Sequence, residues 1–546
     1  MTLSKLFMAG HFASTLTNMM SMTFLCFFLP MTLLVFTIVP KKIKKYALLV
    51  ISYGFSWLIS GKLAAFLLLS TLSIHYFSLW IERLHRQQAD ALKAAEKDAK
   101  KTIKASFIRK KKGIICFAVI LHFGLLLGLK YSAFITVNIN SLLRVAHVPL
   151  KFDVPALAVP IGISFYTLQG MSYIVDVYRG TIQADGNIGR LALFMSFFPQ
   201  IVEGPICRYS DTAEQLWNVQ GIRFENLKLG AQRILWGMVK KMVIADRLNS
   251  FVGLIFDHPE NYEGGIVAIA AVCYTIQLYM DFSGSIDAAI GVAQIFGVGL
   301  PENFRRPFFS KTISEFWQRW HITLGAWFRD YIFYPVTMSR RMKNLTSAAR
   351  KKIGNYYGPL IAGSIALFCV WLCNGLWHGA AWNYVFFGMY HFAFILCGSL
   401  IQPLTGKINK LLHINTQALW FRIFQMLRTA LIVLVGEVFF RAADVKTGCT
   451  VLKRIFTNFS FASLGAMLCD SSLMIDAKDF AIIGVTLIIV LVVSSMQERG
   501  MHMRESLNKR NIVLRWAILY ALILYIVIFG AYGKGYIAVV PVYANF

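Results

Sequence analysis

Apolar stretches long enough to cross a lipid bilayer recur along the whole chain. The first runs from about residue 22 to 39, and two more follow near residues 46–60 and 62–81 with a short Gly-containing turn between them. A helix of about 20 mostly apolar residues spans the hydrocarbon core of a membrane. The pattern therefore predicts an all-α polytopic membrane protein with about twelve transmembrane helices.

The stretch from about residue 155 to 400 is apolar but repeatedly interrupted. Glycine, proline, charged residues and amides occur inside its hydrophobic segments. Such breaks are tolerated at membrane depth only where protein or a water-filled cavity surrounds them. We therefore predict re-entrant or broken helices around a central cavity, and we divide the chain into N-terminal spans (1–154), a core (155–400) and C-terminal spans (401–546).

Charge changes this picture by giving the membrane protein an orientation. Of the 546 residues, 57% are hydrophobic and 15% charged, and the net charge is +28. Lys and Arg collect in cytoplasmic loops of membrane proteins and attract anionic lipid, so we expect a membrane-lipid partner and no nucleic acid. The rule predicts that both chain termini are extracytoplasmic. The basic loops are 41–45, 82–112, 340–343, 350–352 and 497–510.

The sequence lacks the short motifs of several common chemistries. It contains no HExxH, no phosphate-binding loop and no GxSxG. None of its nine cysteines forms a CxxC pair, and most lie in apolar runs. We interpret the cysteines as small buried hydrophobes, and we expect no metal site.

One group of ionisable residues lies in segment 301–336. Glu315 and Arg319 are four residues apart, which is the spacing of an ion pair on a helix, and His321 follows among several tryptophans. Aromatic residues mixed with Arg are typical of an interfacial or re-entrant element. An amphipathic surface helix with ordinary salt bridges fits the pattern equally well.

A second candidate, His378, lies in the apolar segment 370–392. Trp377 precedes it, Asn374 lies one helical turn before it, and we expect Asn383 near the same face. Histidine is the side chain most easily tuned to take and release a proton near neutral pH. A structural histidine bonded to a neighbouring carbonyl remains the alternative, and we interpret His391 as structural.

Two aspartates interrupt a third apolar run, residues 278–297. Asp281 and Asp287 could hold an ion, line a cavity or cap a broken helix. We favour the caps.

Five strings in this order resemble the membrane-bound O-acyltransferase family, in particular its bacterial branch of alginate O-acetyltransferases and teichoic-acid D-alanyl transfer proteins. The resemblance covers about residues 155–400, which it implies are a catalytic core. It implies that His378 is the family's catalytic membrane histidine and that His321 is the second important histidine. The strings are PIGISFYTLQGMSYIVDVYRG (160–180), FFPQIVEGPICR (197–208), YMDFSGSIDAAIG (279–291), the segment 301–336 and LWHGAAWN (376–383).

The last residues, PVYANF, are similar to an aromatic motif of the form FxYxxF found at the end of bacterial relatives. Tyr543 and Phe546 match, while Pro541 replaces the first Phe. The resemblance implies that Tyr543 is a first acyl acceptor on the outer side. An ordinary interfacial tyrosine anchor is the alternative.

The resemblance also implies a reaction and its partners. We expect an acyl-CoA or acyl-carrier-protein thioester as donor substrate and no bound cofactor. An extracytoplasmic SGNH-hydrolase-like protein would pass the acyl group to a cell-envelope polysaccharide outside the bacterial inner membrane. We expect the acyl group to be acetyl, with D-alanyl as the second choice. Residues expected to bind or orient the substrates are Asn374, Asn383, Arg319 and Trp377. A transporter or channel that exports a lipid or glycan precursor is the alternative.

Overall fold

The structure is a computed structural model that describes residues 15–469 and 472–532. In this part of the chain every regular element is a helix, which confirms the all-α prediction. The described residues form two compact units: residues 15–233 with 288–301, and residues 234–287 with 302–532 apart from the gap at 470–471. The three-part division of the sequence at residues 154 and 400 stays a prediction.

The first unit contains eight complete helices and parts of two more, α9 and α11, which contribute residues to both units. A π-helical turn, Phe24–Phe28, precedes α1. The helices are α1 (Leu29–Ile38), α2 (Lys44–Ser60), α3 (Ala65–Ala94), α4 (Ala99–Val145), α5 (Ile163–Arg179), α6 (Ile188–Ser196), α7 (Phe198–Ile201), α8 (Tyr209–Trp217), α9 (Phe224–Met238) and α11 (Gly264–Ile295).

The second unit contains the remaining described helices. A π-helical segment, Val239–Ala245, joins α9 to α10, and another, Arg329–Phe333, joins α13 to α14. The helices are α10 (Asp246–Asp257), α12 (Ile313–Arg319), α13 (Ile322–Phe328), α14 (Tyr334–Thr337), α15 (Arg340–His378), α16 (Trp382–Leu411), α17 (Leu419–Arg441), α18 (Val445–Thr457), α19 (Leu464–Cys469), α20 (Ala477–Glu498), α21 (Met503–Asn508) and α22 (Ile512–Phe529).

Eight stretches of the described chain are long and apolar enough to cross a membrane. The first, Lys41–Ala94, contains both α2 and α3, and the shorter apolar helix Phe24–Ile38 precedes it. The polytopic character is thereby confirmed, while the count of about twelve crossings stays a prediction. The other seven stretches are Ala99–Val145, Gly264–Ile295, Arg340–His378, Trp382–Leu411, Leu419–Arg441, Ala477–Glu498 and Ile512–Phe529.

Glycine allows the helices of the first unit to approach closely. A Cβ on Gly170 of α5 would lie 2.2 Å from Cδ1 of Ile74 on α3.

The predicted solvated helix over residues 82–112 is present as the end of α3 and the start of α4, with a break at residues 95–98. The basic loop is thus a helical hairpin that continues two apolar helices.

Close backbone packing also joins the helices around the candidate site. A Cβ on Gly375 of α15 would lie 2.5 Å from the carbonyl oxygen of Tyr384, and one on Gly388 of α16 would lie 2.4 Å from that of Trp371. On the other side of α16, the Tyr390 hydroxyl donates to the carbonyl oxygen of Ile432 on α17 at 2.9 Å. Helices α15, α16 and α17 therefore form one tightly packed group.

Broken helices are confirmed through most of residues 163–337, where short α-helices alternate with turns and π-helical segments. Helix α11 is the exception, because it runs without a break through Asp281 and Asp287. The prediction that these aspartates cap a broken helix is therefore wrong. The predicted central cavity stays a prediction.

Candidate functional site

His378 is the last residue of α15, and the chain turns there toward α16. The next residues are extended, with φ of 177° at Gly379 and −152° at Ala381, so the helix ends at the histidine. The side chain is 6% exposed. Its ring centroid lies 5.1 Å from that of Trp377 and 5.1 Å from that of Phe440 on α17. The imidazole is therefore held among aromatic rings at the end of a membrane helix.

The two asparagines predicted to accompany His378 have different surroundings. Asn374 lies four residues before His378 on α15, so the two share a helix face, and Asn374 Oδ1 has no hydrogen-bond partner among the described residues. Asn383 is on α16, so the expectation of one continuous helix face is wrong. Its Nδ2 donates to the carbonyl oxygens of Phe439 at 3.4 Å and Ala442 at 3.0 Å, which ties α16 to the end of α17.

His321 occupies the junction between α12 and α13. Its φ of +45° is in the left-handed region, which ends one helix and starts the next. Its ring centroid lies 5.0 Å from that of Phe282 and 5.5 Å from that of Trp377. Burial lowers the pKa of His321 to about 3, so the ring is neutral near pH 7. Because both histidine rings contact Trp377, the structure brings His321 and His378 to the same indole.

Arg319 belongs to a cluster of ion pairs. The pair predicted from its spacing is present, with Arg319 Nη2 2.7 Å from Glu315 Oε1 on α12. Its other guanidinium nitrogen lies 2.9 Å from Glu498 at the end of α20, and Arg306 also pairs with Glu498 at 2.6 Å. Arg319 therefore links α12 to α20 through carboxylates.

The partners of Asp281 and Asp287 were not predicted from the sequence. Lys241 Nζ lies 2.5 Å from Asp281 and 3.2 Å from Asp246, and Lys240 Nζ lies 2.6 Å from Asp287. We call these five residues the lysine–aspartate cluster. A signal was present, since two adjacent lysines in the apolar run WGMVKKMVIA need buried counter-charges.

Glu437 on α17 was also missed. It is 2% exposed, and its Oε2 has no hydrogen-bond partner among the described residues. Arg441 follows Glu437 by four residues, the spacing of an ion pair on a helix, but its guanidinium lies 3.5 Å from Asp257. Phe440, three residues after Glu437, packs against His378. An acidic residue inside the apolar run LIVLVGEVFF was the available signal.

His391 is enclosed by the rings of Trp317, Trp371 and Phe387, at centroid distances of 4.8, 5.5 and 4.7 Å. Its structural role stays a prediction. Tyr543 and the aromatic motif at the end of the sequence lie outside the described residues.

Together these features define a polytopic helical membrane protein with a buried polar centre built around two histidines. Residues 185–350 match the model of MBOAT, the membrane-bound O-acyltransferase family, so the chain contains a domain of this family. His321 lies inside the matched region, and His378 follows it.

Relatives of known name extend the similarity over a larger part of the chain. The chain is 34% identical to the probable alginate O-acetylase AlgI of Pseudomonas syringae pv. tomato, over 61% of this chain and 58% of that protein. It is 30% identical to the peptidoglycan O-acetyltransferase of Helicobacter pylori, over 62% and 64%. It is 31% identical to the teichoic acid D-alanyltransferase of Bacillus subtilis, over 45% and 60%. The chain thus matches about three fifths of the length of these relatives.

Proposed function

We propose that the protein is a membrane-embedded O-acyltransferase that passes an acyl group from a cytoplasmic thioester to an extracytoplasmic cell-envelope polymer. The observation that carries the proposal is His378, a buried imidazole at the end of a membrane helix, in ring contact with the tryptophan that His321 also contacts. The similarity to enzymes named for acyl transfer to alginate, peptidoglycan and teichoic acid supports it. The protein would be a multi-pass protein of the bacterial inner membrane with both termini outside.

The proposed chemistry needs a base in a site that excludes bulk water. His378 takes the proton of an attacking hydroxyl as its oxygen forms a bond to the thioester carbonyl carbon. The carbon–sulfur bond breaks, and the proton passes to the departing thiolate. His321, which is neutral because of its burial, can accept a hydrogen bond beside the same indole. No metal or bound cofactor takes part in these steps.

The remaining predicted residues receive supporting roles. Asn374 shares a helix face with His378 and would orient the imidazole or a substrate oxygen. Trp377 would line the site beside both histidines. Asn383 and Arg319 would fix the ends of the helices that carry the histidines.

We propose acetyl as the transferred group and D-alanyl as the second candidate. Acetyl is favoured by the higher identity to the alginate O-acetylase, and D-alanyl is supported by the teichoic acid D-alanyltransferase of Bacillus subtilis. Acetyl and D-alanyl groups would be transferred to a hydroxyl by the same reaction. The thioester donor that the protein accepts therefore distinguishes the two candidates.

The direct test supplies purified protein with acetyl-CoA or a D-alanyl carrier protein, together with a polysaccharide that offers acceptor hydroxyls, and measures release of free thiol. Wild-type protein should release thiol from one donor, and His378→Ala should lower the rate by about 100-fold or more. His258→Ala is the control, because the His258 side chain is 64% exposed. A transporter would release no thiol, and retained turnover in His378→Ala would reject the assignment of the base.

A relay through Tyr543 is a separate part of the proposal. A tyrosine hydroxyl has a pKa of about 10 and needs a base to attack a thioester. The acyl-tyrosine would then give its acyl group to an SGNH-hydrolase-like protein outside the membrane. Tyr543→Phe should abolish labelling of the protein by a radioactive acyl donor, whereas undiminished transfer to the polymer would reject the relay.

A further inference from the structure

The side-chain amide of Asn303 is held in one orientation. Its Oδ1 accepts from the backbone N–H of Thr323 at 3.1 Å and from the Thr323 hydroxyl at 2.9 Å, and His321 Nδ1 lies 3.3 Å away. A backbone N–H can only donate, so the atom facing it must be the amide oxygen. The backbone carbonyl of Asn303 also accepts from Ile322 N at 3.0 Å. Both halves of the residue are therefore fixed to the turn that carries His321.

In this orientation the two N–H donors of the Asn303 amide nitrogen have no hydrogen-bond acceptor among the described residues. Asn303 is 0% exposed, and its Nδ2 has no hydrogen-bond partner among the residues that the structure describes. Buried donors of this kind are costly and rare, because the group has lost its bonds to water. A rotation of the amide by 180° would set its N–H against the backbone N–H of Thr323 and lose that hydrogen bond, so the observed orientation is kept. The Nδ2 donors of Asn303 are therefore available to an acceptor from outside the described chain.

The position of Asn303 indicates which acceptor this is. The residue touches His321, whose ring contacts Trp377, which in turn contacts His378. The ring of Phe304, the next residue, and the ring of Phe282, which contacts both Phe304 and His321, carry no acceptor atoms. An uncharged oxygen suits an amide donor in apolar surroundings, because an anion would lose much more hydration on entry. In the reactants of the proposed acyl transfer, the thioester carbonyl is such an oxygen.

We propose that Asn303 Nδ2 donates a hydrogen bond to the carbonyl oxygen of the acyl thioester. This inference rests on the proposed function and adds a residue to it. As the hydroxyl oxygen bonds to the carbonyl carbon, negative charge collects on the carbonyl oxygen, and the amide donors stabilise it. The charge returns to the carbonyl when the carbon–sulfur bond breaks and the thiolate takes the proton. Asn303 would then be a catalytic residue, fixed in place by Thr323.

The first test is the turnover of Asn303→Asp, which keeps the size and the Oδ1 acceptor but removes the two donors. We expect kcat for thiol release to fall by about 100-fold with KM within about threefold, because the bond strengthens as charge develops. Thr323→Val is the matched control, since it removes one contact to Oδ1 and leaves the Nδ2 donors. It should lower kcat by less than about tenfold.

A second measurement separates a substrate contact from a structural role. Two unreactive analogues are built on the carrier that supports thiol release in wild-type protein: a ketone with CH2 in place of sulfur, and an ethyl thioether without the carbonyl. Wild-type protein should bind the ketone about tenfold more tightly than the thioether, and Asn303→Leu should bind both equally. Thr323→Val should keep the preference.

The outcomes distinguish this inference from the proposed function. Suppose that wild-type protein releases thiol. If Asn303→Asp then keeps its kcat or changes only KM, the assignment of Asn303 is overturned while the acyltransferase proposal stands. The same follows if Asn303→Leu retains the ketone preference. If wild-type protein releases no thiol from either donor, the proposed function fails and the assignment fails with it.

Discussion

Two polar regions inside the second unit solve the same physical problem in opposite ways. In the lysine–aspartate cluster each buried charge lies against an opposite one, with Lys241 between Asp281 and Asp246 and Lys240 against Asp287. Near the two histidines, and on the α17 face that carries the His378 neighbour Phe440, buried polar atoms of Asn303, Asn374 and Glu437 have no hydrogen-bond partner in the described chain. We call this second region, with His321 and His378, the histidine centre.

The difference between the lysine–aspartate cluster and the histidine centre indicates where function is expected in a membrane protein. In the lysine–aspartate cluster every charge has an opposite charge within the chain, although Asp281 Oδ2 has no hydrogen-bond partner among the described residues. Breaking such a buried ion pair harms the fold. Unpartnered polar groups weaken the fold and are retained where a substrate supplies the missing partner. We therefore expect the lysine–aspartate cluster to support the fold and the histidine centre to carry the proposed chemistry.

The largest effect on stability is expected from Lys241→Met. The substitution removes both ion pairs of a fully buried lysine and leaves Asp281 and Asp246 as uncompensated buried charges. The free energy of unfolding should fall by about 3–5 kcal/mol. Thermal unfolding in detergent measures it, with Lys228→Met as control, because Lys228 pairs with the exposed Glu225 and should change stability by less than about 1 kcal/mol.

A matched exchange of acid for amide in each region sharpens the contrast. Asp281→Asn weakens a charged contact to Lys241, so the free energy of unfolding should fall by about 1.5–3 kcal/mol. Glu437→Gln breaks no ion pair and keeps the shape of the side chain, so the change should stay below about 1 kcal/mol. Equal losses in both variants, measured by the same unfolding assay, would remove the distinction between the regions.

The smallest effect is a pH dependence from His321. Burial lowers its pKa from 6.5 to about 3, so below pH 6.5 the unfolded chain binds a proton that the folded chain does not. The free energy of unfolding should therefore fall by about 1 kcal/mol as the pH falls from 6.5 to 5.5. His321→Gln should make this fall between pH 6.5 and 5.5 smaller by about 1 kcal/mol than in the wild type.

The control for this pH series is His258→Gln, since the exposed His258 should leave the slope unchanged. A fall of the same size in His321→Gln as in the wild type would mean that His321 does not contribute to the acid sensitivity of the protein.

The apolar pattern was sufficient to predict the helical class and the polytopic character. The four-residue spacing of Glu315 and Arg319 was sufficient to predict their ion pair. All three features depend on residues that are close in the sequence. The apolar pattern could not predict that α11 continues through Asp281 and Asp287, because their counter-ions come from Lys241 and Lys240, about 40 residues earlier.

The site shows the same limit. His378 and His321 were recognisable as candidates, but their shared contact with Trp377 depends on a left-handed residue at the α12–α13 junction. Asn303 carried no signal in the sequence, since its importance comes from an amide orientation that only the packed structure fixes.

The most direct measurement records thiol release and thermal unfolding on the same preparations of wild-type protein, His378→Gln and Lys241→Met. We predict that His378→Gln unfolds with the wild type but turns over at least about 100-fold more slowly. Lys241→Met should unfold at a lower temperature and, while folded, keep its turnover. A His378→Gln protein that still releases thiol at the wild-type rate would contradict the account.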